Sequence, residues 1–237
     1  MTSEKTSDPR RRILEAAAGL LAEGGAEAAS TRAVAAAAGV QAPTLYRLFG
    51  DKQGLLDALA AYGFERYLAD KQELGATDDP VADLRRGWDL HVDFGLARPA
   101  LYVLMYGTPR PGRRPAAADD AYAMLCSLLE RVARAGRLRL PVPAAARMVQ
   151  AANTGAVLTL IASAEQDEEL SPRTREAVLA AITAPSGGES GRAASPPGLA
   201  EAAVTLDAVL DGGTAPLTPP ETALLREWLH RLAAPAD

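Results

Sequence analysis

Apolar side chains recur along this chain at intervals of three and four, the period of helices that bury one face. Ile13, Leu14, Ala17, Leu20 and Leu21 predict a first helix over residues 10–22, ended by Gly24 and Gly25. Residues 1–8 are polar and expected to fray. Thr31 reads as the N-cap of a second helix, 32–38, with Val34, Ala35 and Ala38 on its inner face. Gly39 suits a tight turn, because a residue without a side chain lets the next helix approach closely. A third helix is predicted over 42–48, with Pro43 in its first turn, where a missing N–H costs nothing. Leu45 and Leu48 then point inward, leaving Gln41, Ala42, Thr44 and Arg47 outside. Two short helices across a tight turn have the spacing of a helix-turn-helix.

The remaining pattern is helical throughout. Asp51 caps a fourth helix to about Glu73, carrying Leu55, Leu56, Leu59, Tyr62, Phe64 and Leu68, and residues 75–80 break it. A fifth starts at Asp79 or Pro80 and reaches Leu96, and a sixth covers 100–106. The basic, Pro-rich run 108–115 (TPRPGRRP) reads as a solvated loop in preference to a DNA-facing patch. A seventh helix covers 116–135. The eighth, 142–164, is unusually apolar, is interrupted by Asn153 and Thr154, and has small residues suited to close packing in a core or across a dimer axis. After Pro172 a ninth helix runs to about Thr183, and 185–198 (PSGGESGRAASPPG) reads as a mobile linker. The last two helices are placed at 199–210 and 221–232. Thr218 caps the latter, whose apolar face is Leu224, Leu225, Trp228 and Leu232. The expected fold is all-α: a three-helix helix-turn-helix domain over 1–50 and a helical regulatory body over 51–237.

Composition narrows the chemistry. Of 237 residues 48% are hydrophobic and only 5% aromatic, so aromatic clusters carry more information than usual. The single cysteine, Cys126, excludes an internal disulfide and a thiolate zinc site, and it reads as a buried small hydrophobe. No apolar leader or membrane-length run occurs, so a cytoplasmic protein without membrane contact is expected. The sequence has no G-x-S-x-G, H-E-x-x-H, phosphate loop or G-x-G-x-x-G in a strand-to-helix setting, so neither enzyme activity nor a cofactor is expected. The acidic run Asp167, Glu168 and Glu169 reads as a solvated helix end, because consecutive acids do not share a helix face. Net charge is −5, which by itself argues against nucleic acid. Residues 1–60, however, hold seven basic and seven acidic side chains, and residues 30–52 hold three basic and one acidic. The helix-turn-helix is locally favourable to phosphate without being strongly steered.

An exposed Gln, Thr and Ala at a helix start suits base edges: Gln addresses adenine, and Thr or Ala methyls touch the thymine methyl. Around them Thr31, Arg32, Tyr46, Arg47 and Lys52 are suited to phosphate contacts. Residues 31–59, TRAVAAAAGVQAPTLYRLFGDKQGLLDAL, resemble the DNA-binding domain of the TetR/AcrR family of bacterial transcriptional regulators, over roughly residues 10–60. The resemblance implies an all-helical homodimer whose fourth helix couples three DNA-binding helices to a ligand-binding and dimerisation body. By position, Thr31 and Arg32 begin the supporting helix, and Gln41, Ala42, Pro43, Thr44 and Tyr46 form the recognition region. Tyr46 matches the phosphate-contacting tyrosine, Phe49 the buried aromatic and Lys52 the lysine opening the fourth helix. Gln41 departs from the family's usual serine cap.

The effector-site candidates are Trp88, His91, Phe94, Leu101, Tyr102, Met105, Tyr106, Tyr122, Met124, Asn153 and Thr154, from helices that surround the inducer cavity in the resembled family. An apolar cavity with a few polar groups is the usual form of such a site. The function expected is a ligand-responsive regulator of transcription: a repressor released from a palindromic, double-stranded operator by a small, largely hydrophobic effector. An activator, an effector-independent regulator and a helical dimerisation protein that binds no DNA are the alternatives.

Overall fold

The computed structural model describes residues 8–107, 115–163, 167–184, 198–210 and 217–233. Most of the basic run 108–115 and of the linker 185–198 therefore lies outside the described residues. The described chain forms α1 (Pro9–Ala28), α2 (Thr31–Ala37), α3 (Ala42–Phe49), α4 (Lys52–Glu73), α5 (Pro80–Ala97), α6 (Pro99–Tyr102), a π-turn (Val103–Gly107), α7 (Ala116–Arg134), α8 (Val142–Ala162), α9 (Leu170–Ile182), α10 (Leu199–Leu210) and α11 (Pro219–Ala233). Among the described residues the only β pairing is one antiparallel bridge, Leu138 with Thr183. The fold is all-α, as the periodicity predicts.

Several helix ends differ from the pattern for local reasons. Ser30, not Thr31, caps α2: its hydroxyl accepts from the Ala33 N–H at 3.2 Å, which frees the Thr31 side chain. Helix α1 passes beyond the expected stop, but Gly24 and Gly25 interrupt its helical geometry, and Gly25 takes a left-handed φ of 67°. Helix α9 begins two residues before Pro172, which falls in the first turn. There the Asp167 carboxylate accepts from the Glu169 and Leu170 N–H groups. Asp51 accepts from the Gly54 N–H at 2.7 Å, and Asp79 from the N–H groups of Val81 and Ala82. Thr218 and Glu221 form the return half of a capping box, the Thr218 N–H donating to the Glu221 carboxylate at 2.8 Å.

Two compact units result, interleaved along the chain. The first comprises Met1–Glu73, His91–Ala121 and Val157–Ser163. Its core includes Ile13, Leu14, Val34, Leu45, Leu55, Leu59 and Tyr102, all buried. Here α6 packs on both α1 and α4, and the π-turn packs on α4. Gly63 makes that approach feasible: a Cβ there would stand 2.6 Å from Met105 Sδ and 3.2 Å from Leu101 Cδ1.

The second unit comprises Leu74–Leu90, Tyr122–Ala156 and Ala164–Asp237. Asp83 is its polar keystone. The carboxylate is 3% exposed and accepts from the Thr77 N–H and hydroxyl, Arg86 and Arg131, at 2.6–2.9 Å. Burial alone would raise its pKa, but these donors hold it below the usual carboxylate range. Arg85–Glu176 and Arg175–Asp89 join α5 to α9, and the Trp88 indole N–H donates to the Ser171 hydroxyl at 3.0 Å. Helices α10 and α11 pair as a hairpin. On α11 Leu229 and Ala233 are buried and Leu225 is half-buried, whereas Leu224, Trp228 and Leu232 of the amphipathic face are about half exposed.

Candidate functional site

The α2–turn–α3 segment presents its predicted contact residues together. Gly39 takes a φ of 63°, as the turn requires, and Gly50 ends α3 at 78°. With Val34, Leu45 and Phe49 buried, the opposite face carries Arg32, Gln41, Ala42, Pro43, Tyr46 and Arg47, all exposed, and Thr44, half-buried. Lys52, at the start of α4, is exposed as well. Gln41 occupies the N-cap position of α3 and makes no capping bond, which leaves its amide unengaged by that helix. Tyr46 is 49% exposed, and its hydroxyl lies 3.4 Å from that of Thr31, linking the two helices at the surface. From α1 the Arg10 guanidinium lies 5.7 Å from the centre of the Phe49 ring. The segment therefore carries donors from three helices beside a row of short side chains able to approach a base edge.

The effector candidates fall into two groups. In the first unit His91, Phe94, Leu101, Tyr102, Met105 and Tyr106 do converge. Two residues of α4 that the sequence reading passed over, Tyr67 and Lys71, join them. His91 is 7% exposed, with Nδ1 2.8 Å from the Tyr67 hydroxyl and Nε2 2.6 Å from that of Tyr102. Tyr102 and Tyr106 have ring centres 4.7 Å apart, and Tyr106 meets Phe64 edge-on at 5.1 Å. Burial, reinforced by the Lys71 charge, lowers the His91 pKa to about 3, so the ring is neutral. Burial likewise raises the Tyr67 phenol well above its ordinary value.

Lys71 is half-buried with its ammonium 5.1 Å from the centre of the Tyr67 ring, and burial lowers its pKa to about 8. No carboxylate among the described residues pairs with it. Its signal in the sequence is weak, because a lysine in the last turn of a helix ordinarily complements the helix dipole from solvent.

The second unit holds Trp88, Tyr122, Met124, Asn153 and Thr154. The Asn153 amide donates to the Trp88 carbonyl at 3.4 Å. Its own carbonyl oxygen and the Thr154 hydroxyl are buried with no hydrogen-bond partner. Tyr122 and Met124 are half-buried on α7. Cys126 is half-exposed rather than buried, and Tyr122 hydrogen-bonds it. Among the described residues no group of three His, Cys, Asp or Glu side chains is arranged to hold a metal, and no helix is long and apolar enough to cross a membrane.

Comparison with known proteins sets this geometry in context. Residues 13–59 match the family described as bacterial regulatory proteins, tetR family. The HTH-type transcriptional repressor KstR of Rhodococcus jostii (strain RHA1) is 44% identical over 66 residues, 28% of this chain and 31% of that protein. The chain thus spans about a third of that relative's length. Over longer stretches the likeness is to solved structures. The TetR family transcriptional regulator PfmR from Thermus thermophilus has a TM-score of 0.55 at 26% identity, covering 71% of this chain and 97% of that one. The transcriptional regulator FadR from Bacillus subtilis, solved in complex with stearoyl-CoA, has a TM-score of 0.61 at 18% identity, covering 73% and 98%.

Proposed function

We propose that this chain, whose residues 13–59 match the tetR family of bacterial regulatory proteins, is a homodimeric DNA-binding regulator of transcription and not an enzyme. In this reading it is a repressor released from a palindromic operator by a small, largely hydrophobic effector. The observation that carries it is the exposed set on α3, with Gln41 free of capping duty and Tyr46 held at the surface beside Thr31. Gln41, Ala42 and Thr44 face the base edges, while Thr31, Arg32, Tyr46, Arg47 and Lys52 hold phosphates. The modest local charge makes two copies at a fixed separation necessary for tight binding, which a palindrome supplies.

The effector reading rests on two orphaned oxygens of the second unit, Asn153 Oδ1 and Thr154 Oγ1. A buried polar atom without a partner costs about 1–3 kcal/mol, so its presence favours an occupant that pairs with it. The stearoyl-CoA of the FadR complex joins a long acyl chain to a polyanionic coenzyme A group, so its acyl part alone supports an apolar effector for a protein of this fold. To release the operator, such an effector must bind the DNA-incompetent state more tightly than the competent one.

A mobility-shift titration with the intergenic DNA upstream of the gene tests the reading. Saturable, sequence-specific binding that weakens with salt is expected. Its absence at low salt would leave a helical dimerisation protein as the better account.

A further inference from the structure

The second unit contains a cleft that the DNA and effector readings leave unused. The α10–α11 hairpin stands over the start of α8 and the middle of α7, enclosing about 350 Å³ between them. That volume lies at the small end of the range of ligand pockets, roughly 300–1,000 Å³. Its wall is mainly apolar, with Val142 from α8, Val204 and Ala208 from α10, and Leu229 from α11. Asn153 and Thr154, the orphaned pair of the effector reading, lie off this lining.

The ionisable groups on the lining are already answered. Arg134 reaches Glu130 at 3.4 Å, and Arg226 reaches Asp207 at 3.8 Å. His230 holds Asp207 Oδ2 at 3.0 Å. At Cys126 burial raises the thiol pKa by more than the Tyr122 hydrogen bond lowers it, so the thiol is protonated at neutral pH. Among the described residues, no buried side-chain nitrogen or oxygen on the lining lacks a hydrogen-bond partner. The cleft thus presents neither an unmatched charge nor a vacant hydrogen-bonding group. A charged molecule entering it gives up water without gaining a counter-ion. A hydrocarbon gives up no hydrogen bond and gains burial and dispersion contacts. Water gains little there, since it needs polar partners to stay in a cavity.

We infer that this cleft binds a small neutral bicyclic hydrocarbon against Val142, Val204, Ala208 and Leu229, and rejects its charged analogues. The inference stands apart from DNA binding and from the effector reading.

Cys126, the only cysteine of the chain, supplies a local reporter. Naphthalene, its cationic analogue naphthylmethylamine and its anionic analogue naphthoate serve as a matched series. Binding is measured by equilibrium dialysis, and occupancy by the rate of iodoacetamide alkylation read from intact mass. Naphthalene is expected to bind saturably and to slow Cys126 alkylation about fivefold or more at a saturating concentration. Both charged analogues should bind at least about tenfold more weakly. Ala208→Phe, which fills the cleft, should abolish binding and the protection of Cys126. Val204→Ser, which sets a hydroxyl in the apolar wall, should weaken binding about threefold or more. Both variants should keep the circular dichroism spectrum of the parent. No saturable binding of naphthalene overturns the proposal, as does equal or tighter binding of either charged analogue. Binding that leaves Cys126 alkylation unchanged, or that survives both variants, places the probe elsewhere and overturns it too. None of these results depends on whether the protein binds DNA.

Discussion

His91 stands between two phenols, 2.8 Å from the Tyr67 hydroxyl at Nδ1 and 2.6 Å from the Tyr102 hydroxyl at Nε2. A neutral imidazole has one N–H, so it donates to one tyrosine and accepts from the other, joining α4, α5 and α6 through a single ring. His91→Phe leaves both phenols buried without that partner and should cost about 2–4 kcal/mol in urea unfolding. The same ring makes stability sensitive to acid. Its folded pKa, near 3, lies below the unfolded value of about 6.5, so the unfolded chain takes up the proton first. The stability associated with neutral His91 is complete above pH 6.5 and declines as pH falls toward 3. Between pH 7 and pH 5 this group should contribute a loss of about 2 kcal/mol, and His91→Phe should remove that share.

Lys71 responds in the alkaline range. Burial lowers its pKa from 10.5 to about 8, so its charged form strains the fold below pH 8, and the unfolded chain holds the proton more tightly between the two values. Its contribution to stability therefore rises between pH 8 and about 10.5. Lys71→Met should stabilise the protein at pH 7 by about 1–3 kcal/mol, with the advantage shrinking in unfolding curves repeated at pH 10.

Asp83 runs the other way. Its pKa is depressed by donors from Thr77, Arg86 and Arg131, so the stability it contributes is present above the usual carboxylate range and is lost as pH falls through it. Asp83→Asn should cost about 3 kcal/mol at pH 7, because two arginines lose a buried partner. The deficit should narrow in acid, measured by thermal unfolding from pH 7 to pH 3.

Gly95 tests the packing behind Tyr102. A Cβ there would stand 2.4 Å from Val157 Cγ1 and 2.9 Å from Tyr102 Cδ2. A ring held at its hydroxyl by His91 has little room to yield. Gly95→Ala should cost about 1–3 kcal/mol despite the higher helix propensity of alanine, and the near-ultraviolet circular dichroism of the tyrosines should change with it.

On the DNA side the surface residues separate by role. Tyr46→Ala and Lys52→Ala should weaken binding to specific and unrelated duplexes alike, and Lys52→Ala should lower the salt slope by about one. Gln41→Ala or Thr44→Ala should instead shift sequence preference, by about 1–3 kcal/mol at the affected base pair, in competition titrations against single-base operator variants.

The helices were legible because their periodicity is strong and their ends are marked. Asp51, Gly39 and Pro43 act where their chemistry predicts. Ser30 and Thr31 show the limit of such reading: both residue types cap helices, and only the backbone decides which one does. Tyr67 was passed over because a tyrosine on a long helix looks alike whether its hydroxyl meets water or a histidine 24 residues away. Lys71 was missed for the same reason, since its burial is created by α4's neighbours. On α11 the spacing marks an amphipathic face without naming what covers it: Leu225 is half-buried beside Leu229 and Ala233, while Leu224, Trp228 and Leu232 stay about half exposed.

The π-turn at Val103–Gly107 has its own arithmetic. An α-helix advances about 100° per residue, and a turn closing on the fifth residue instead of the fourth advances less. Tyr106 lies four residues past Tyr102, a spacing that keeps the two rings on one face at either count. What the slower count changes is the angle at which Tyr106 leaves the helix, and at that angle it meets Phe64 and His91. The angular clock of five residues thus tunes how the aromatic cluster closes around a pair that is adjacent in either geometry.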